Sequence, residues 1–236
     1  FPTMIGLDGR LRTTFIQSGA ATGRMASQEP GLQNIPIRSE LGRRIRDAFV
    51  AKSGCKFVSV DYSQIELRLA AIMSGDEKLI EIFNGEEVHA GVASYMFGIP
   101  QNQITKEQRN KAKVINFGIL YGMGVSALQK NLKVDRKEAQ EFYNTYFEKF
   151  SGLAQYLGDT KEFAKKNGYT KTMYGRKRFF DGIQSKLPFI RAQAERMAIN
   201  APIQGTEADI VKLAMLKIDE FLNDKKMKDK IKLVLQ

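Results

Sequence analysis

A β-rich run that switches at once to a helical pattern constrains the fold of this chain most strongly. Residues 56–60, KFVSV, are mostly apolar or β-branched, which favours a strand. The stretch that follows Ser63, QIELRLAAIMS, spaces its apolar residues as a buried helix does. The pattern therefore predicts a strand that delivers Asp61 at its carboxyl end and turns directly into a helix.

The remaining patterns predict a mixed α/β (α+β) body with a largely helical insertion. Residues 11–27 begin as a strand and become a loop near Gly23, and helical periodicity dominates from about residue 76 to 168. The later segments are predicted as a hairpin around Gly175, two helices over residues 188–202 and 204–222, and a final strand over residues 231–236.

The segment RNKAKVINFGILYG, residues 109–122, combines charge and aromaticity in an unusual way. Thr105 and Gln108 match a capping box, so a helix is expected to begin just before Arg109. In that helix four residues fall on one stripe: Arg109, Lys113, Phe117 and Tyr121. A solvated face does not need the rings and a buried face disfavours the cations. Core packing of the rings, with the cations at the rim, is the alternative interpretation.

Charge and composition narrow the classes of partner. The chain has 37 Lys and Arg against 26 Asp and Glu, a net charge of +11, which favours polyanions. One cysteine and one histidine exclude an internal disulfide and a His/Cys metal cluster, so any metal must be held by oxygen. No apolar run approaches the ~20 residues of a membrane span, and the first residues lack a signal-peptide layout. We therefore expect a cytoplasmic protein with no membrane partner.

Two segments resemble motifs of family A DNA polymerases, the bacterial DNA polymerase I type. DYSQIELR, residues 61–68, is similar to the first catalytic motif, and residues 109–122 are similar to the fingers helix. The resemblance implies that the two cations near the start of this helix bind the triphosphate of a nucleotide and that the two rings face the sugar and base of that nucleotide. For Asp61 and Ser63, helix capping at a strand-to-helix turn is the alternative reading.

The resemblance implies a site for dNTP and Mg²⁺. It makes Asp61 and Lys113 catalytic, and gives Asp61 and the Tyr62 carbonyl as ligands of Mg²⁺, of which the complete enzyme holds two ions. The implied dNTP-binding residues are Gln64, Glu66, His89, Arg109, Lys113, Phe117 and Tyr121. A lone histidine such as His89 is otherwise an ordinary surface or core residue.

Two more segments resemble family regions that contact primer-template DNA. They are TGRMASQEPGLQNIPIR, residues 22–38, and AERMAINAPIQGTEADIVKLAM, residues 194–215. The DNA-binding residues that they imply are Arg24, Gln33, Asn34, Arg38, Arg196, Asn200 and Gln204. Asn34 also suits a loop, and Asn200 and Gln204 also suit a cap or a helix surface.

The resemblance also implies a right-hand architecture, with a monomeric, nucleoid-associated protein acting on DNA. Residues 1–75 and 186–236 are expected to form palm, and residues 76–185 a helical fingers subdomain. The family continues past this sequence into a turn with a second catalytic aspartate, so we expect this chain alone to be inactive. The alternatives are a DNA-binding fragment without turnover and a phage-type RNA polymerase, against which Glu66 argues because it closes the space for a ribose 2′-hydroxyl.

Overall fold

The computed structural model describes residues 2–36, 39–85, 87–227 and 230–231. The chain divides into two compact units. The first unit comprises Phe1–Ser63 and Ala208–Gln236, and the second comprises Gln64–Glu207. No helix among the described residues is both long and apolar enough to cross a lipid bilayer.

Helices dominate the second unit, and the strands are short. The helices are α1 Glu40–Asp47, α2 Ile65–Ser74, α3 Glu77–Asn84, α4 Val88–Phe97, α5 Lys106–Leu120, α6 Val125–Leu132, α7 Arg136–Lys149, α8 Ser151–Asn167 and α9 Pro188–Asp224. The strands are β1 Thr14–Ile16, β2 Ala26–Gln28, β3 Tyr169–Lys171 and β4 Lys177–Phe179. The mixed α/β class is confirmed, with two small antiparallel sheets, β1–β2 and β3–β4.

The core of the second unit is built by helices α4, α5, α7 and α8. Val92, Ile115, Tyr146 and Phe150 are fully buried there. The Tyr146 hydroxyl donates a hydrogen bond to the buried Oδ1 of Asn116, 2.5 Å away, and burial raises the pKa of Tyr146 well above its ordinary value. This packing fixes α4 against α5, the two helices that carry the candidate site.

The predicted hairpin forms around Gly175. Strands β3 and β4 pair antiparallel, with Thr170 opposite Arg178, and Gly175 has a φ of +85° in the connecting turn. Glycine reaches that left-handed conformation without steric cost, which is why its position predicts the turn. Helix α1 lies outside the segments that the sequence patterns predict as helical.

The strand predicted at residues 56–60 is wrong. This segment has no regular structure, and Phe57, Val58 and Val60 are 63%, 85% and 91% exposed. A strand needs a neighbour to satisfy its backbone hydrogen bonds, and no described segment pairs with this one. The other strand predicted near the end of the chain, residues 231–236, lies outside the described residues except for Ile231.

The two helices predicted on either side of Pro202 are one continuous helix, α9. Pro202 cannot donate a backbone hydrogen bond to the carbonyl of Ala198, so sequence alone favours a break. Tertiary packing overrides that preference, because Ala198, Ala201 and Ile203 are buried around the proline. The Thr206 hydroxyl also donates to the Pro202 carbonyl at 2.7 Å, adding a bond one turn later.

Candidate functional site

Helix α5 carries the candidate site along one face. The backbone N–H of Gln108 donates to Thr105 Oγ1 at 3.2 Å, and the N–H of Thr105 donates to Gln108 Oε1 at 2.9 Å. The predicted capping box is therefore confirmed, and it fixes where the helix begins. The stripe then follows in four-residue steps: Arg109, Lys113, Phe117 and Tyr121, the last of which ends the helix.

Three rings form a continuous row beside this helix. The His89 and Phe117 ring centroids lie 5.7 Å apart, and those of Phe117 and Tyr121 lie 6.3 Å apart with an interplanar angle of 15°. His89 comes from α4 and is buried, whereas Tyr121 is 40% exposed. The row therefore runs from the interior of the second unit to its surface, where a flat ligand can reach it.

Glu66 joins the outer end of this row through a buried carboxylate. The Tyr121 hydroxyl donates a hydrogen bond to Glu66 Oε2, although the two residues are 55 positions apart in sequence. Gln64 precedes Glu66 at the start of α2, in a left-handed conformation with a φ of +54°. Its buried Oε1 has no hydrogen-bond partner among the described residues, so this acceptor is left unsatisfied there.

Arg109 is held by an acid that sequence reasoning missed. Its Nε and Nη2 each donate to the Glu87 carboxylate at 3.0 Å, and the same carboxylate accepts from the backbone N–H groups of His89 and Ala90. Burial raises the pKa of Glu87, but these hydrogen bonds outweigh it, so the pKa lies below its ordinary value. In the sequence, the only signal for Glu87 is that an acid precedes a helical run, because its partner Arg109 lies 22 residues further along the chain.

The environment of His89 favours the neutral imidazole. Burial lowers its pKa most; Glu87 raises it, and the nearby charges of Lys113 and Arg109 lower it further. Its Nδ1 is buried with no hydrogen-bond partner among the described residues. Lys113 is exposed on the same face of α5 and forms no ion pair with any residue that the structure describes. Within the described part of the chain, the site thus presents the Lys113 ammonium group without an ion pair, beside a histidine whose surroundings favour its neutral form.

Arg196, one of the residues implied on α9, lies beside the end of this stripe. Gly122 follows Tyr121 with a φ of +73°, and a Cβ at Gly122 would lie 2.9 Å from Arg196 Cγ. Only glycine allows this close approach of the two segments. Asn200 and Gln204 lie one and two turns further along α9, and the buried Asn200 Oδ1 has no partner among the described residues.

The residues implied as metal ligands lie in the first unit. Asp61 and Tyr62 belong to an irregular, exposed segment. Their oxygen atoms are the donor type that Mg²⁺ prefers, so the donors fit in kind. However, the described residues contain no group of three or more His, Cys, Asp or Glu side chains that could hold a metal. The implied ligands of Mg²⁺ from this chain are therefore one carboxylate, that of Asp61, and one carbonyl, that of Tyr62.

The other implied DNA-binding residues lie around strand β2. Gln33 Oε1 accepts from the backbone N–H of Ser27 at 2.9 Å, and its Nε2 donates to the Met25 carbonyl at 3.3 Å. Gln33 therefore helps to brace this segment through hydrogen bonds within the chain, while Arg24 and Asn34 are exposed beside it. Arg38 lies outside the described residues.

Comparisons with known proteins agree with these motifs. The model of the family "DNA polymerase family A" matches residues 1–236. The chain is 49% identical over 222 residues to DNA polymerase I of Mycobacterium bovis, covering 93% of this chain and 25% of that protein. It is 46% identical over 211 residues to thermostable DNA polymerase I of Thermus aquaticus, covering 89% of this chain and 25% of that protein. The chain thus spans about a quarter of the length of these relatives.

A solved structure is similar over nearly the whole chain. It is the POL domain of Pol1 from M. smegmatis in complex with DNA primer-template and dNTP. The TM-score is 0.89 at 45% sequence identity, and the match covers 95% of this chain and 40% of that one.

Proposed function

The chain belongs to DNA polymerase family A, and from this premise we propose that it supplies the nucleotide-binding part of a DNA-directed DNA polymerase. The family match confirms the predicted family, and the structural match confirms the predicted fold class. The proposed reaction is attack of a primer 3′-hydroxyl on the α-phosphate of a dNTP, directed by a template and releasing pyrophosphate. Palm is proposed for residues 1–75 and 186–236, and fingers for residues 76–185.

The stripe on α5 is the observation that carries this proposal. A triphosphate needs cations, and Arg109 and Lys113 supply them one helical turn apart, near the positive end of the helix dipole. Phe117 and Tyr121 follow as near-parallel rings for the sugar and base. Gln64 lies at the start of α2, the helix that carries Glu66, and its Oε1 has no hydrogen-bond partner among the described residues. The order of groups along the helix matches the order of groups along one nucleotide.

Glu87 and His89 prepare the phosphate end of this site. Glu87 holds one edge of the Arg109 guanidinium, which leaves Nη1 and the remaining Nη2 hydrogen to donate to phosphate. The environment of His89 favours the neutral imidazole in the free chain, and the ring gains a favourable partner when a phosphate arrives. We propose that His89 donates a hydrogen bond to the triphosphate and takes up a proton as it does so.

Mg²⁺ is the proposed metal, since the enzymes of this family depend on metal ions. Asp61 and the Tyr62 carbonyl would hold it from this chain. When bound, Mg²⁺ lowers the pKa of the primer hydroxyl and neutralises charge on the leaving phosphates. The described residues contain no group of three or more His, Cys, Asp or Glu side chains that could hold a metal, so we propose that the 236-residue chain alone extends primers near background and acts as a binding fragment.

DNA is the proposed macromolecular partner. A net charge of +11 and the exposed Arg24, Asn34 and Arg196 suit phosphate contacts, with Gln33, Arg38, Asn200 and Gln204 added by the family resemblance. Such contacts give little sequence preference and a steep dependence on salt. A protein of this kind would act in the cytoplasm as a monomer, at the nucleoid.

Substitutions on α5 test the nucleotide site. Arg109→Ala and Lys113→Ala should each weaken dNTP binding by ~1.5–3 kcal/mol, the value of a charge-assisted hydrogen bond, while affinity for primer-template changes little. Lys111→Ala is the matched control, since Lys111 is on the same helix but pairs with Glu107. Calorimetric titration of dNTP and anisotropy with labelled DNA measure the two affinities. Equal losses in both assays for Arg109→Ala would reject the proposal.

A further inference from the structure

Helix α9 contains one turn that its own backbone holds poorly. Pro202 lies inside the helix and leaves the Ala198 carbonyl without its helical donor. Gly205 lies in the next turn, and proline and glycine are the two residues that least favour a helix interior. Asn200 and Gln204 lie on either side of Pro202. The two amides implied to contact primer-template DNA are therefore carried by a weak part of the helix.

The side chains of Asn200 and Gln204 have no bracing of their own. Neither side chain forms a hydrogen bond with another described residue, and the buried Oδ1 of Asn200 is unsatisfied within the described part of the chain. The two residues are four positions apart and share one face of α9. The direction of both carboxamides therefore depends on how the backbone of this turn is held.

The buried Thr206 holds this turn from outside the helix. Its hydroxyl donates to the Pro202 carbonyl at 2.7 Å and accepts from the Met173 N–H, in the β3–β4 hairpin, at 3.0 Å. A hydroxyl has one hydrogen to donate and two lone pairs to accept with. One group thus closes the proline turn and also ties that turn to the hairpin.

Arg176 adds a second tie between the hairpin and the same part of α9. Its Nη2 donates to the Gly205 carbonyl at 2.9 Å. The hairpin turn is itself held by two backbone hydrogen bonds: the Thr172 N–H donates to the Arg176 carbonyl at 2.9 Å, and the Gly175 N–H donates to the Thr172 carbonyl at 3.0 Å. A firm turn outside the helix therefore holds the two residues that directly follow Gln204.

We propose that Thr206 is a positioning residue, through which the hairpin turn orients Asn200 and Gln204 toward primer-template DNA. Thr206 is fully buried, so it acts through these two side chains and does not touch DNA itself. The inference rests on the proposed function, because it takes Asn200 and Gln204 as DNA contacts.

Anisotropy of the 236-residue chain with labelled primer-template DNA tests this role. Thr206→Val keeps the shape of the side chain but removes the hydroxyl, and should weaken DNA binding about fivefold, the factor that one net hydrogen bond contributes. Thr206→Ser keeps the hydroxyl and should retain most of the parental affinity. Thr170→Val is the matched control, since it removes a buried hydroxyl of the same hairpin that has no hydrogen-bond partner among the described residues. It should leave the affinity unchanged.

A double-mutant cycle separates positioning from a general structural effect. The background for this cycle is Asn200→Ala combined with Gln204→Ala, which should itself lower DNA affinity at least fivefold, roughly the factor of one lost hydrogen bond. In this background Thr206→Val should lower the affinity no further. An equal loss in both backgrounds would show that Thr206 acts by another route, and the inference would be wrong.

The remaining outcomes distinguish the inference from the proposed function. If the Asn200 and Gln204 background keeps the parental affinity, the proposed DNA contacts on α9 are wrong and the inference falls with them. If that background loses affinity and Thr206→Val does not, the inference alone is wrong.

A second variant and a measurement without DNA complete the test. If Thr206→Val fails to fold, Arg176→Gln removes the bond to the Gly205 carbonyl, and the effect of its lost charge cancels in the same cycle. Hydrogen exchange of the free chain should become faster over residues 200–206 in Thr206→Val and stay parental in Thr170→Val. Unchanged exchange in Thr206→Val would overturn the inference.

Discussion

Replacing Asp76 should destabilise the second unit far more than replacing an ordinary capping residue. Asp76 is 4% exposed and accepts two backbone hydrogen bonds of 3.1 Å. One comes from Leu79 in the first turn of α3, and the other from Leu153 in the first turn of α8. A single carboxylate thus ties together the starts of two helices that are 77 residues apart.

The magnitude follows from these two bonds. Loss of an N-cap costs about 1 kcal/mol, and a buried N–H left without a partner costs about 1–3 kcal/mol. Asp76→Ala removes the cap of α3 and leaves the buried Leu153 N–H unsatisfied, so we expect a loss of about 2–4 kcal/mol. Asp76→Asn keeps one of the two acceptors and should fall between Asp76→Ala and the parent.

Asp135→Ala is the matched control for this experiment. Asp135 caps α7 by accepting from the Glu138 N–H at 2.8 Å, but it is exposed, so water replaces the lost bond. Its loss should cost about 0.5–1 kcal/mol. Equilibrium urea unfolding followed by circular dichroism gives the free energy of unfolding of each variant. Equal losses of unfolding free energy for the Asp76 and Asp135 variants would refute the reasoning that burial of the Asp76 hydrogen bonds determines how strongly they stabilise the fold.

Four further predictions concern the candidate site. The affinity for dNTP should rise as pH falls from neutrality to below the ordinary histidine pKa of 6.5, because the pKa of His89 is lowered in the free chain and bound phosphate raises it. His89→Gln should flatten this part of a calorimetric pH profile. Phe117→Tyr adds an oxygen near the sugar and should raise the ratio of dideoxy- to deoxynucleotide use in extension assays of a chain carrying the whole palm. Glu66→Ala removes bulk and the partner of Tyr121, and should raise the ratio of ribo- to deoxynucleotide use in the same assay. The ionised Glu87 stabilises the fold fully above its ordinary pKa of 4.5, because its pKa in the folded chain is lower. Up to about 1 kcal/mol of the free energy of unfolding should therefore be lost as the pH falls through this lowered pKa. Glu87→Gln should remove this part of the pH profile measured by urea unfolding.

Features set by neighbouring residues could be predicted from the sequence. The capping box of α5 needs only Thr105 and Gln108, and the turn of the β3–β4 hairpin needs only Gly175 at a left-handed position. The α5 stripe is likewise a consequence of helical spacing, and the family motifs extend it to specific roles that remain proposals. Each of these rests on interactions within about four residues, which the order of amino acids specifies directly.

Tertiary structure decided what depends on distant partners. Residues 56–60 have strand propensity but no described neighbour to pair with, and Pro202 lies inside a helix because buried side chains around it outweigh its local preference. The Glu87 carboxylate reaches Arg109 across 22 residues, and Asp76 reaches Leu153 across 77. Sequence patterns report local periodicity, whereas these contacts exist only once helices have packed, so the folded chain alone reveals which acids hold the site and its framework.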